Sequence, residues 1–321
     1  MTWLSDNALA HLQEVADWPD LRTTKYEALS VLGQGGMATV YLARDKDLGR
    51  EVALKVMRLP EPAPGLGDRL LQEARILARL EHPGLVPVHD VGTLPDGRVF
   101  YAMKRVLGRR LDAHLVDSRS VAEGLRLFER ICETVAFAHA QGIIHRDLKP
   151  ANVMIGPFGE VLVLDWGVAK LGGEGPQALP ASAGPSRPST SHGTVVGTPG
   201  YMSPEQARGQ PVDARADVFA LGRILESIVA RTDLVDRPAR VPRPLASILE
   251  KALAPEPDQR YAGARELRED VARYLSGFRV LAHEERWFEV VGRLVRKYRT
   301  PLALVAAYVL MRAALIFWRA R

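Results

Sequence analysis

Eight consecutive residues, His145-Arg146-Asp147-Leu148-Lys149-Pro150-Ala151-Asn152, constrain this chain more than anything else in it. They gather an acid, an amine and an amide in one short loop, directly after a long apolar helical run that Gly142 stops. Companion motifs lie on both sides in a workable order. Upstream come Gly33-Gln34-Gly35-Gly36-Met37-Ala38-Thr39-Val40 and Val52-Ala53-Leu54-Lys55; downstream come Asp165-Trp166-Gly167 and Ser203-Pro204-Glu205. A glycine-rich turn alone has many false positives. Five such segments in series are hard to obtain by chance.

The 321 residues allow one large or two ordinary domains, and a hydrophobic share of 47% is enough to bury a core. A net charge of +5 is compatible with phosphate or anionic lipid but does not argue for nucleic acid. The single cysteine, Cys132, sits in an apolar helical run and reads as inert core. Acidic residues interrupt the N-terminus, so it does not read as a secretory signal.

Helical spacing over residues 1–22 predicts an N-terminal helical extension. Strand-like stretches follow at Ala28–Leu32, Ala38–Ala43 and Val52–Met57, then helical spacing from Leu70 to Leu80. Further strands are expected at about Val86–Val91 and Val99–Val106. Beyond Gly108 the pattern is mainly helical: Val121–Gln141, Val212–Ala230, Leu245–Ala254 and Gly263–Leu275, with a hairpin of Val153–Ile155 and Val161–Leu164. Residues 172–193 are rich in Gly, Pro, Ser and Ala and are expected to be mobile.

The motifs resemble those of the Hanks-type (eukaryotic-like) Ser/Thr protein kinases of bacteria, over roughly Tyr26 to Leu275. The resemblance implies an α+β, two-lobed fold: a small antiparallel-sheet lobe with one helix, a larger mainly helical lobe, and ATP in the cleft between. The kinase domain would then occupy 23–277, with the small lobe at about 23–106 and the large lobe at about 107–277.

Carried over by motif, Leu32, Gly33, Gln34, Gly35 and Gly36 form the loop over the triphosphate, where a Cβ would hold the backbone away. The usual third glycine is Ala38. Lys55 contacts the α- and β-phosphates and is steered by Glu73. Val40, Ala53 and Met154 enclose the adenine; Lys104 and Val106 bracket the hinge, and Met103 gates the back pocket. Asp147 is the expected base. Asn152 and Asp165 are the expected ligands of Mg2+, with Mn2+ as an alternative. Lys149 and Thr198 point to the Ser/Thr class. Trp166 stands where a phenylalanine is usual before Gly167, and is expected to stack with Leu77, Val88 and His145. Glu205 is expected to pair with Arg260, and Asp217 to cap the catalytic-loop backbone. Arg146 implies control by phosphate on the loop after Asp165, with Thr190 or Thr194 favoured. The pattern departs from the family after Arg231, where the helix that normally docks substrates is reduced or missing.

At the other end, Pro301 to Trp318 is apolar apart from Arg312, near the lower limit of the roughly 17–25 residues a helical span needs. A basic juxtamembrane segment at 278–299 and a transmembrane helix at 300–318 are expected, with the kinase domain on the cytoplasmic side by the positive-inside rule. The alternative is a packed helix and a cytoplasmic protein. The expected activity is transfer of the γ-phosphate of MgATP to Ser/Thr hydroxyls of protein substrates, with autophosphorylation of the loop. Pairing of two copies for that step stays open. The rival reading is a pseudokinase-like scaffold that binds nucleotide without turnover.

Overall fold

Alternation of apolar side chains builds the first half of the chain. In the computed structural model, which describes residues 18–35, 38–58, 66–117, 120–166, 170–171, 200–232 and 241–284, with 303–305, 307–308, 310–312 and 318 beyond them, five strands form one antiparallel sheet. They are β1 (Tyr26–Gln34), β2 (Ala38–Asp45), β3 (Arg50–Met57), β4 (Val88–Thr93) and β5 (Val99–Lys104), in spatial order β1-β2-β3-β5-β4. Period-two alternation sends Val52, Leu54, Val56, Phe100 and Ala102 to one face, where Tyr26, Tyr41 and Leu21 complete a core. The opposite face carries Lys55, Tyr101 and Met103, and against it packs helix α1 (Leu66–Arg79) through Leu70, Ala74 and Leu77.

β5 ends two residues earlier than expected. The Lys104 N–H donates to the Pro87 carbonyl at 3.0 Å, and the chain then leaves the sheet toward the second lobe. Gly108 makes the crossing in a left-handed conformation (φ 148°), lying against the Ile155 carbonyl. One short strand and a short helix follow, β6 (Arg109–Arg110) and α2 (Leu111–Asp117), then the long α3 (Val121–Ala140). Ser120 accepts the Glu123 N–H at the start of α3. Leu125, Phe128, Ile131, Cys132, Val135 and Ala138 are all fully buried, so α3 is the spine of the large lobe. After β7 (Ile143–Ile144) come β8 (Val153–Ile155), β9 (Val161–Val163) and β10 (Lys170–Leu171). Helices α4 (Pro204–Ala207), α5 (Ala214–Thr232), α6 (Arg243–Ala252) and α7 (Ala264–Leu275) complete the lobe.

The fold is thus two-lobed, an antiparallel-sheet lobe and a mainly helical lobe. The expected helix at residues 1–22 lies almost wholly outside the described residues. Its last part, 18–21, is not helical; Leu21 enters the small-lobe core and the Trp18 ring meets Tyr41 edge-on. The expected mobile stretch 172–193 and most of 300–318 also fall outside the described residues. Among the described residues no helix is long and apolar enough to cross a membrane.

Gly108 carries a specific expectation. A Cβ there meets backbone rather than a movable side chain, in a φ that L-residues rarely adopt. Gly108→Ala is expected to cost about 2–4 kcal/mol from strain and overpacking combined, read as a lowered urea midpoint with unchanged m-value.

Candidate active site

The catalytic loop is held from below by one carboxylate. Asp217, on α5 and 1% exposed, accepts the backbone N–H of His145 and of Arg146, both at 2.8 Å, and His139 Nε2 lies 2.8 Å from the same group. Arg146 is thereby fixed at φ 70°, a region non-glycine residues seldom occupy. Its carbonyl accepts from Gln206 Nε2 at 2.8 Å. Both backbone groups of this strained residue are therefore committed, one to α5 and one to α4. Burial lowers the proton affinity of the Arg146 guanidinium, whose Nε is a buried donor without a partner among the described residues.

Within the loop, Lys149 Nζ donates to Asp147 Oδ2 at 2.8 Å, and Asn152 Nδ2 donates to the Asp147 carbonyl at 2.9 Å. That second bond orients the amide and leaves Oδ1 as the acceptor of Asn152. Across the cleft, Lys55 Nζ bonds both oxygens of Glu73 at 2.9 and 3.0 Å and Asp165 Oδ1 at 3.0 Å. Burial alone would lower the Lys55 amine. The Tyr101, Glu73 and Asp165 groups around it outweigh that and hold it above the ordinary lysine range. For Asp165, burial pulls upward but Lys55 wins, drawing the carboxyl below its usual range. Asp165 also has a left-handed backbone, φ 62°. The two non-glycine residues with positive φ among those described are Arg146 and Asp165, one in each functional segment. The donor set fits a small hard cation: one carboxylate half exposed to the cleft and one amide oxygen, both oxygen ligands.

Trp166 is 1% exposed and its ring lies 4.5 Å from that of His145. It shares a core with Leu77, against which Val88 also packs. An indole brings an N–H that phenylalanine lacks, and the Val163 carbonyl accepts it at 3.2 Å. That bond lets the larger ring be buried. Elsewhere in the large lobe, Arg260 forms a two-pronged pair with Glu205 at 2.7 and 2.8 Å. Its remaining donors go to the carbonyls of Ala254, Arg215 and Pro255. A buried ion pair is costly unless its donors are used up, and here they are.

Of the nucleotide-site residues expected from the sequence, Val40 pairs with Lys55 in register and Ala53 with Met103. Leu32, Gly33 and Gln34 end β1, and the Gly35 N–H closes onto the Ala38 carbonyl at 2.9 Å. Met154 lies on β8 opposite Leu162, and Val106 lies in the crossing segment. Gly36, Gly167, Thr190, Thr194 and Thr198 fall outside the described residues. Sequence reading missed His139, Gln206 and Tyr101. His139 carried a usable signal, because it stands in the last turn of α3, which runs directly into the catalytic loop.

The buried carboxylates predict a pH response. Burial raises both Glu205 and Asp217, but the Arg260 and His139 hydrogen bonds prevail and both sit below the ordinary range. A depressed carboxylate stabilises the fold fully above its unfolded value, near 4, and that contribution is lost as pH falls through the folded value. Glu205→Gln is expected to cost about 3–5 kcal/mol at pH 7 by stranding Arg260. It is also expected to flatten the acid limb of stability below about pH 4, as read from urea unfolding between pH 3 and 7.

Comparison with known proteins agrees with this geometry. The protein kinase domain model matches residues 26–241. The serine/threonine-protein kinase PknD of Chlamydia pneumoniae is 35% identical over 293 residues, 79% of this chain and 31% of that protein. PknD of Protochlamydia amoebophila is 34% identical over 78% of this chain and 30% of its own length. The chain thus spans about a third of the length of these relatives. The crystal structure of the Mycobacterium tuberculosis PknI kinase domain superposes with a TM-score of 0.57 at 28% identity, covering 78% of this chain and 96% of that one. By the family model, the relatives and the two-lobed cleft together, this chain belongs to the protein kinase family.

Proposed function

We propose that the chain is a Ser/Thr protein kinase that transfers the γ-phosphate of ATP to hydroxyls of protein substrates. The observation that carries this reading is the convergence of Lys55, Asp165, Asn152, Asp147 and Lys149 on one cleft between the lobes. In the resemblance Lys55 engages the α- and β-phosphates, and its fixed positive charge suits that task. Asp147 orients the incoming hydroxyl and takes its proton, while Lys149, bonded to it, faces the transferring group. Asn152 and Asp165 would hold Mg2+, or Mn2+, whose charge offsets that developing on the phosphate oxygens. Such a transition state asks the protein mainly for positioning and charge, which a loop tied down by Asp217 supplies.

Two finer readings belong to the same proposal. The buried Arg146 Nε, without a partner among the described residues, supports control by a phosphorylated loop hydroxyl, with Thr190 or Thr194 favoured. The C-terminal stretch supports a membrane anchor with the kinase domain on the cytoplasmic side. Its described residues are helical, and Leu304, Val305, Leu310, Met311 and Trp318 are all exposed, an apolar surface that lipid would cover.

With radiolabelled ATP and the full chain in detergent, Asp147→Asn is expected to lower phosphoryl transfer by about 10²- to 10⁴-fold. Equal label on both forms would remove the enzyme claim. Cell fractionation tests the anchor: the full chain is expected in the membrane pellet, and a chain truncated at residue 299 in the soluble fraction. A full chain that stays soluble overturns it.

A further inference from the structure

The Lys55–Glu73 pair has a third member. Tyr101 is the direct cross-strand partner of Lys55 on β5, so both side chains stand on the sheet face that α1 covers. Its hydroxyl donates to Glu73 Oε1 at 3.0 Å, the same oxygen that Lys55 Nζ bonds at 2.9 Å. The Lys55 amine also lies 5.8 Å from the centre of the Tyr101 ring. We propose that Tyr101 is a positioning residue for phosphoryl transfer, its hydroxyl fixing Glu73, and through it Lys55 and helix α1, in the arrangement that receives the triphosphate.

The need for such a donor follows from burial. The Glu73 side chain is 3% exposed, so water cannot solvate its charge. Lys55 does not serve Glu73 alone, because the same amine bonds Asp165, and on the kinase reading it also meets the phosphates. Each time the amine is shared, the buried carboxylate loses part of its compensation. The Tyr101 hydroxyl is committed to no other acceptor among the described bonds, so it can stay on Glu73 when the amine is shared. A phenol buried merely to fill the core would be satisfied by any nearby acceptor. Here the acceptor is the one carboxylate that joins sheet and helix.

This inference rests on the kinase reading for its effect on rate, but not for its effect on α1. The test compares the full chain with Tyr101→Phe, which keeps the ring and deletes the hydroxyl, and with Glu73→Ala, which removes the acceptor, and the double variant. Amide hydrogen exchange across α1 and steady-state kinetics with varied ATP are measured on each. Tyr101→Phe is expected to speed exchange in α1 and to lower kcat/KM by roughly 5- to 10-fold, the scale of one net hydrogen bond. Added to Glu73→Ala, it is expected to change neither quantity by more than about 1.5-fold, since the two act through one contact. Unchanged α1 exchange in Tyr101→Phe overturns the proposal, and so does an equal loss in both backgrounds, the mark of generic core damage. Faster exchange with unaltered kcat/KM overturns the catalytic part. A wild-type chain that transfers no phosphate fells the kinase reading instead, and the exchange comparison still decides whether the hydroxyl holds Glu73.

Discussion

Asp217 is the interaction on which the rest depends. A carboxylate buried to this degree is tolerable only with its oxygens occupied, and its donors are two consecutive backbone N–H groups and an imidazole. Those two N–H groups belong to the residues just before Asp147. The turn they define holds Arg146 in a left-handed conformation that would cost on the order of 1–3 kcal/mol if left to itself. The strain is offset where it arises, by α5 below and by Gln206 above. Gln206 sits beside Glu205, which Arg260 ties to the far end of the large lobe. One line of polar contacts therefore runs from α5, through the catalytic loop, to α4.

A second line crosses the cleft. Glu73 on α1, Lys55 and Tyr101 on the sheet, and Asp165 on the large lobe share one hydrogen-bonded cluster. Beneath it the rings of Trp166 and His145 pack against the α1 side of the core. His145 belongs to both lines: its backbone N–H goes to Asp217, and its ring Nε2 meets the Leu164 carbonyl beside Asp165. A rotation of α1 would thus be felt at Asp165 and at the catalytic loop together. Packing of this density moves between discrete arrangements rather than yielding gradually.

Much of this was legible because it is local. The strands around Val52–Lys55, the helix from Val121 and the catalytic loop are each set by short-range periodicity and by glycine or proline stops, and the structure shifts their ends by only a few residues. Motif spacing pointed to Asp217, Glu205 and Arg260, whose partners lie far off in sequence, because a resemblance carries tertiary information that periodicity does not. Apart from His139, what stayed hidden had no such signal. Tyr101 reads as one more aromatic in a strand until the β3–β5 register sets it opposite Lys55. Gln206 looks like an exposed helix residue, and only the path of the catalytic loop makes it a clamp. The short α2 and α4 are too brief for a helical period to show.

Only residues 233–242 separate α5 from α6, so these two helices meet through Gly222, where a Cβ would press on Ala252 and Leu253. Their joint surface toward the C-terminus is closed by the chain that follows α7. Asp270, 1% exposed, accepts the backbone N–H groups of Leu281 and Ala282 at 2.8 and 2.9 Å and the Tyr261 hydroxyl at 3.0 Å. Val280 is buried beneath this clasp, and His283 meets Ser247 on α6 at 3.0 Å. A second buried carboxylate thus repeats the device of the first, spending its charge on two successive backbone N–H groups to hold an otherwise irregular segment. The chain is thus held against α6 and α7 as far as His283, the last residue of the clasp.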